Sequence, residues 1–412
     1  MPQRRKPRVI SLFSGAGGLD YGFEAAGFET GVALEIDRDS CASLQASRPK
    51  RPVINRDIFQ VATSELLAAC GARPGEVDVL IGGPPCQPFS KAGYWASGDS
   101  ARLEDPRANT LSAYMQVVEE ALPATFLLEN VEGLAYQGKD EGLRFLLARL
   151  DQVNRRTKSR YVAVMKKVDA ADYGVPQHRE RVLIVASRDG KEFKFPEPTH
   201  GEHVGQCSIL ESKLTPFRTA WDALGAAKPD ASEDLDVRGK WSALLPSIPE
   251  GSNYLFHTER GGGLPLFGWR RRYWTFLLKL AKSRPSWTIQ AQPGPSVGPF
   301  HWDNRRLSVE ELRRLQTFPA DVTFVGGRTS VQRQLGNAVP SLLGEVSARS
   351  IAKQLLGRRV TGTPRLGLVE RPGLPGPQKP KLVPQAFMKH IGEHTAHPGT
   401  GLGFAAEARA PA

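Results

Sequence analysis

Cysteine is scarce in this chain. Its 412 residues hold four, Cys41, Cys70, Cys86 and Cys207, and no two form a Cys-x-x-Cys pair. That spacing excludes a disulfide scaffold and a structural zinc site, and it fits a reducing cytoplasm in which a free thiol survives. Long hydrophobic runs are also missing. None approaches the roughly 20 apolar residues of a membrane span. The basic start Arg4-Arg5-Lys6-Pro7-Arg8 leads only into Val9-Ile10-Ser11-Leu12-Phe13, which reads as a strand and not as a signal peptide. Acid is the minority charge, 43 Asp and Glu against 55 Lys and Arg, and the net +12 points to a polyanionic partner. Composition alone does not separate nucleic acid from an anionic membrane surface.

From residue 8 to 189, short apolar runs at 8–13, 30–34, 77–81, 125–128, 161–167 and 181–186 alternate with helical stretches. Repeated strand–helix alternation predicts an α/β fold built on a doubly wound, mostly parallel sheet. Between 190 and 302 the texture turns Gly/Pro-rich and aromatic, with a helical period only at 274–280, which predicts an inserted second domain. The sheet domain resumes at 303–357, where Ser308 followed by Glu311 marks a capped helix start. Beyond it, 16 of 55 residues are Gly or Pro, so 358–412 is expected to be a disordered tail. Three histidines there, His390, His394 and His397, read as solvated residues and not as a metal site.

Three strand ends suggest a cofactor. Phe13-Ser14-Gly15-Ala16-Gly17-Gly18-Leu19 follows the first strand, where a glycine turn brings a ligand to backbone amides at a helix start. It is not the dinucleotide pattern, since the third glycine would fall at Asp20. Glu35, at the end of the next strand, suits ribose hydroxyls, and Asp57 an adenine amino group. Together they favour an adenosyl ligand without a pyrophosphate.

Three further strand ends suggest chemistry. Gly82-Gly83-Pro84-Pro85-Cys86-Gln87-Pro88-Phe89-Ser90 follows the run 77–81 and delivers a thiol at a strand's carboxyl end. Taken alone, such a cysteine is more often a small buried hydrophobe. Glu129 and Asn130 follow another apolar run, and Gln177-His178-Arg179-Glu180-Arg181 precedes a third. A buried glutamate needs a partner or a task. A cysteine nucleophile, a carboxyl group and an arginine fork would together grip and activate a planar heterocycle. A Cys86–His178 hydrolase dyad is the weaker reading, because the Gln-x-Arg-x-Arg frame uses its arginines.

In these blocks, continued by 306–319 with Gln316-x-Phe318-Pro319 and by Gln334-x-Gly336-Asn337-Ala338-Val339-Pro340, the chain resembles the DNA (cytosine-5)-methyltransferases of bacterial restriction-modification, in the family's unpermuted order and over residues 8–356. The resemblance implies S-adenosylmethionine as cofactor, held by Phe13, Ala16, Gly18, Glu35, Ile36, Asp57, Ile58, Pro84, Leu111 and Asn337. It implies Cys86 as the nucleophile that adds to carbon 6 of a flipped-out cytosine, Glu129 at N3 and the exocyclic amine, Arg179 at O2 and Arg181 ordering the site. Residues 90–107 would close over double-stranded DNA, with Gln87 and Ser90 touching it, and 190–302 would be the target-recognition domain. There Arg260 to Arg306 holds nine Lys/Arg against the single acid Asp303, interleaved with eight aromatics, part of which should form the insert's own core. Arg270, Arg271 and Arg272 are the candidate DNA-reading residues, of which two at most can face one groove. The implied protein is a monomer in the cytoplasm, associated with the nucleoid, without a membrane partner, and served by a separate cognate restriction endonuclease. A tRNA cytosine methyltransferase and a catalytically silent DNA-binding protein are the competing readings; the large insert and the presence of Cys86, Glu129 and Arg179 weigh against them.

Overall fold

The computed structural model describes residues 5–85, 109–130, 141–202, 214–269 and 272–392. Its centre is a seven-stranded sheet of β1 (Arg8–Leu12), β2 (Glu29–Glu35), β3 (Val53–Asn55), β4 (Val79–Gly82), β5 (Thr125–Asn130), β6 (Val162–Asp169) and β7 (Glu180–Ser187), in the order β3-β2-β1-β4-β5-β7-β6. β1 through β5 run parallel; β7 runs antiparallel to both β5 and β6. The central strands β1, β4 and β5 are buried almost throughout, as strands covered on both faces must be, which is why they read as unbroken apolar runs and not as alternating ones. β6 lies at an edge and carries Lys166 and Lys167, charges that blunt an open edge.

One face packs on α3 (Thr63–Cys70), α4 (Asn109–Ala121) and α5 (Glu141–Thr157) through Leu66, Tyr114, Val118, Leu146 and Leu150. The other packs on α1 (Gly18–Ala25) and α9 (Ser341–Gln354) through Phe23, Leu342 and Ile351. α2 (Arg38–Ser47) follows β2, capped by the Asp37 side chain. α7 (Val309–Leu315) starts on the expected capping box: Ser308 Oγ accepts the Glu311 amide at 3.1 Å while Glu311 Oε2 accepts the Ser308 amide at 2.8 Å. With α6 (Ala220–Leu224) and α8 (Arg328–Asn337) it encloses a third cluster that includes Leu280, Ile289 and Trp302.

Between 214 and 302 regular structure is sparse among the described residues. The segment 274–280, expected as helical, has isolated bridges at Phe276 and Lys279 instead. A separate core of Leu244, Leu245, Ile248, Tyr254, Phe267, Leu277 and Phe300 holds this region together. The tail expectation is corrected for 358–392. That stretch crosses the molecule as a strap. The Arg365 and Leu366 amides donate to Glu345 at 2.7 and 2.8 Å, and the Arg371 amide donates to Asp222 at 2.7 Å. Lys381 pairs with the Pro246 carbonyl, and Phe387 enters the insert's core, stacked on Trp241 with centroids 5.5 Å apart. A chain rich in Pro and Gly needs no core of its own when fixed acceptors along its path take its amides.

Candidate functional site

The strand order reverses between β1 and β4, and their carboxyl ends open into one cleft of about 430 Å³. Such a switch point is where open α/β sheets bind ligands. Phe13, Gly15 and Gly17 all take positive φ, so the turn after β1 doubles back tightly before α1. Glu35 closes the opposite wall. Its Oε2 accepts the Gly15 amide at 2.7 Å, and its Oε1 accepts the Ile36 and Asp37 amides at 2.9 Å. Burial pushes this carboxyl above its ordinary value, and the three amides oppose that shift.

Of the ten residues expected at a cofactor, Phe13, Gly18, Glu35, Ile36, Pro84 and Asn337 line the cleft. Ala16 lies in the cluster around Trp302, Ile58 and Leu111 in the core under α3 and α4, and Asp57 caps the turn that follows it by accepting the Phe59 amide at 3.1 Å. Sequence reasoning missed three polar groups of the lining. Asp37 and Arg333 form an ion pair at 2.6 Å that ties the β2 end to α8. Asp37 has a local signal, an acid at a helix start, whereas nothing local marks Arg333. Asp20, wholly buried, accepts Ser11 Oγ at 3.0 Å, and desolvation pushes its carboxyl up to about 6 against the pull of Arg51.

The other side of the cleft comes from the ends of β4, β5 and β7. Glu129 Oε1 meets Arg181 Nε at 2.7 Å, because the antiparallel register of β5 on β7 brings their ends together. Arg179 is only 1% exposed. Its Nη2 donates to the Gly336 carbonyl at 2.7 Å and its Nη1 to the Ile289 carbonyl at 3.3 Å, while its Nε has no hydrogen-bond partner among the described residues. Burial first, and Arg181 second, push its pKa well down; Glu129 opposes them. A buried cation held by neutral carbonyls keeps a strong demand for an acceptor. Its neighbour His178 faces Asp169 at 2.8 Å and packs on Trp287.

The segment 286–290 packs against the stretch from Gln177 to Arg179. Ser286 pairs with Gln177 in a parallel bridge, the Ile289 amide donates to Gln177 Oε1 at 2.9 Å, and Thr288 Oγ1 donates to the His178 carbonyl at 2.7 Å. Cys86, Gln87, Ser90, Arg270 and Arg271, like the expected loop 90–107, lie outside the described residues.

In the insert, Phe267, Phe300 and Trp302 are buried, whereas Tyr273, Trp274 and Trp287 are exposed, the last two meeting edge to face at 5.7 Å. Arg272 is exposed and lies over Phe276 at 5.6 Å. Among the described basic residues of this stretch two turn inward: Lys282 pairs with Glu250, and burial pulls Lys279 down to about 8. The cationic surface is smaller than the sequence implied. Among the described residues no His, Cys, Asp and Glu cluster could hold a metal ion, and no helix is long and apolar enough to cross a membrane.

A seven-stranded sheet in this order, with β7 reversed and a ligand cleft at the β1/β4 switch point, is the Rossmann-like arrangement of methyltransferases. A crystal structure of a putative DNA modification methyltransferase encoded within an E. coli prophage shares this fold, with a TM-score of 0.58 and 24% identity over 86% of this chain and 100% of that one. Residues 7–353 match C-5 cytosine-specific DNA methylase, and the chain belongs to that family, the DNA cytosine-5 methyltransferases. It is 42% identical over 370 residues to the type II methyltransferase M.SacI of Streptomyces achromogenes, covering 84% of this chain and 93% of that protein. It is 34% identical over 340 residues to M.NgoFVII of Neisseria gonorrhoeae, covering 81% and 83%.

Proposed function

We propose that this enzyme transfers a methyl group from S-adenosylmethionine to carbon 5 of a cytosine flipped out of double-stranded DNA, through a covalent adduct of Cys86, and that it protects host DNA in a type II restriction-modification system. It would act as a monomer beside a separate endonuclease. The observation that carries the reading is Arg179, a buried guanidinium whose Nε has no partner among the described residues, in the same cleft as the clamped Glu129 and Glu35.

The cleft suits the cofactor. About 430 Å³ lies in the usual range for small-ligand sites. The glycine turn leaves open space where Gly15 would carry a side chain, and Glu35 Oε2, which accepts the Gly15 amide while Oε1 takes the Ile36 and Asp37 amides, keeps a lone pair for a hydroxyl. Glu35 would hold the ribose, Ile36 would cover the adenine, and the turn from Phe13 to Gly18 would hold the amino acid end. When bound, the cofactor supplies an electrophilic methyl group to carbon 5.

The protein's part follows from what cytosine lacks. Carbon 5 is a weak nucleophile within an aromatic ring. The Cys86 thiolate adds to carbon 6, and the electron pair of the 5,6 double bond becomes available at carbon 5. Arg179 donates to O2 and Glu129 holds a proton at N3, so charge on the ring is neutralised as the carbon–sulfur bond forms. After methylation a base takes the proton from carbon 5, the double bond re-forms and Cys86 leaves as thiolate. A stacked base presents neither face, so it must leave the helix, at about a few kcal/mol.

Cys86→Ala should keep binding DNA and cofactor while methyl transfer falls to background. DNA with 5-fluorocytosine at the site should yield a denaturant-resistant complex, since fluorine does not leave as a proton does. Substantial turnover by Cys86→Ala, or no trapped complex with cofactor present, overturns the covalent route.

A further inference from the structure

Gly83 is the first residue after β4, at the floor of the cleft between the cofactor wall and the reacting side. A glycine usually earns such a place by its backbone, but Gly83 is not among the residues with positive φ. An alanine would be free to adopt its conformation. What an alanine would meet is Glu129. A Cβ built on Gly83 lies 2.7 Å from Glu129 Oε2 and 3.8 Å from the Glu129 carbonyl oxygen. Carbon and oxygen do not pack that closely.

A glutamate tip would ordinarily swing aside, at little cost. Here it is held. Its other oxygen, Oε1, is bound to Arg181 Nε at 2.7 Å, and the Glu129 side chain is only 12% exposed. Rotating Oε2 away from residue 83 breaks that bond or turns the carboxylate out of the plane that Arg181 sets.

We infer that Gly83 is a positioning residue: by lacking a side chain it reserves the volume in which Arg181 holds the Glu129 carboxylate against the target base. This rests on the proposed role of Glu129. The nearest other reading, that Gly83 leaves room for the cofactor or the base itself, predicts a different pattern in the same experiment.

The test is a double-mutant cycle on the full-length enzyme. Initial rates of tritiated methyl transfer from S-adenosylmethionine to unmethylated genomic DNA would be measured for wild type, Gly83→Ala, Glu129→Ala and the double variant, with a thermal melt for each. Gly83→Ala should melt with the wild type, keep both KM values within about threefold and lose about 10- to 100-fold in kcat, the usual penalty for misplacing a reacting group by about 1 Å. In the Glu129→Ala background the same substitution should change kcat less than twofold on the residual rate, because the group it displaces is gone. Gly83→Ala/Glu129→Asp should be at least as active as Glu129→Asp alone, since the shorter side chain restores the space. Independent, multiplicative losses, or a defect that appears as raised KM for cofactor or DNA, overturn the inference in favour of ligand clearance. A silent Gly83→Ala in an enzyme that Glu129→Ala cripples also overturns it. If Glu129→Ala itself keeps full activity, the role of Glu129 fails first.

Discussion

Ending the chain at Gly357 should destabilise the enzyme, contrary to what its Pro/Gly-rich composition suggests. The truncation removes Phe387, which is 7% exposed in the core of the insert and stacked on Trp241. Large-to-small changes at such sites cost about 3 kcal/mol or more. It also strips both backbone donors from Glu345, a wholly buried carboxylate left with only Arg349 at 3.6 Å. A buried acceptor that loses its partner costs about 1–3 kcal/mol, more when charged. The sum is about 4–8 kcal/mol, and at about 1–2 °C per kcal/mol for a chain of this length the melting midpoint should fall by about 5–15 °C. Differential scanning fluorimetry reads the midpoint. Hydrogen exchange should show the loss of protection concentrated at 244–267 and in α9. A truncated protein that melts within about 1 °C of the full chain refutes the reasoning, because burial of that size would have to show.

Two further outcomes are expected. The hydrogen bond that His178 donates to Asp169 raises the His178 pKa, with burial opposing it; Asp169, although desolvation raises it, is lowered overall by hydrogen bonds from His178 and from the Arg179 amide. The stability His178 contributes is full below its unfolded value of about 6.5 and is lost as pH rises through the folded value, while that of Asp169 is full above about 3.9 and is lost on acidification. The melting gap between wild type and His178→Gln should therefore be widest near pH 5–6 and close toward about pH 9; a gap independent of pH contradicts the pairing. Arg272→Ala should either weaken binding to all DNA sequences and reduce the salt slope by about 1, as loss of a phosphate contact does, or relax the methylated motif, as loss of a base contact does. Unchanged affinity across a salt series with an unchanged motif would place the cationic surface elsewhere.

The sheet was legible because its central strands are buried on both faces and so stand out as short apolar runs ending in Glu35, Gly82 and Glu129. β3 was legible only through its end at Asp57, since its three residues, Val53–Asn55, carry no periodicity. The polar groups that a strand end delivers could be named from order alone. Arg333 could not, because it reaches Asp37 from 296 positions away. The insert resisted reading for a different reason. Its core forms from turns and isolated bridges, so Tyr254, Phe267 and Phe300 share an interior without sharing a period. The strap was misjudged because its stability lies in Glu345, Asp222 and Trp241, residues that the tail's own composition does not contain.

The return limb of the insert has a consequence for exchange of specificity between relatives. Residues 286–290 lie within the stretch expected to read DNA, yet Ser286 bridges to Gln177 and Ile289 supplies a carbonyl to Arg179. A graft that replaces 190–302 as a block would import foreign partners for Gln177 and Arg179 along with the rest of the insert. A working chimera should cut before Ser286, so that the donor brings the alphabet and the host keeps its own grip on the letter.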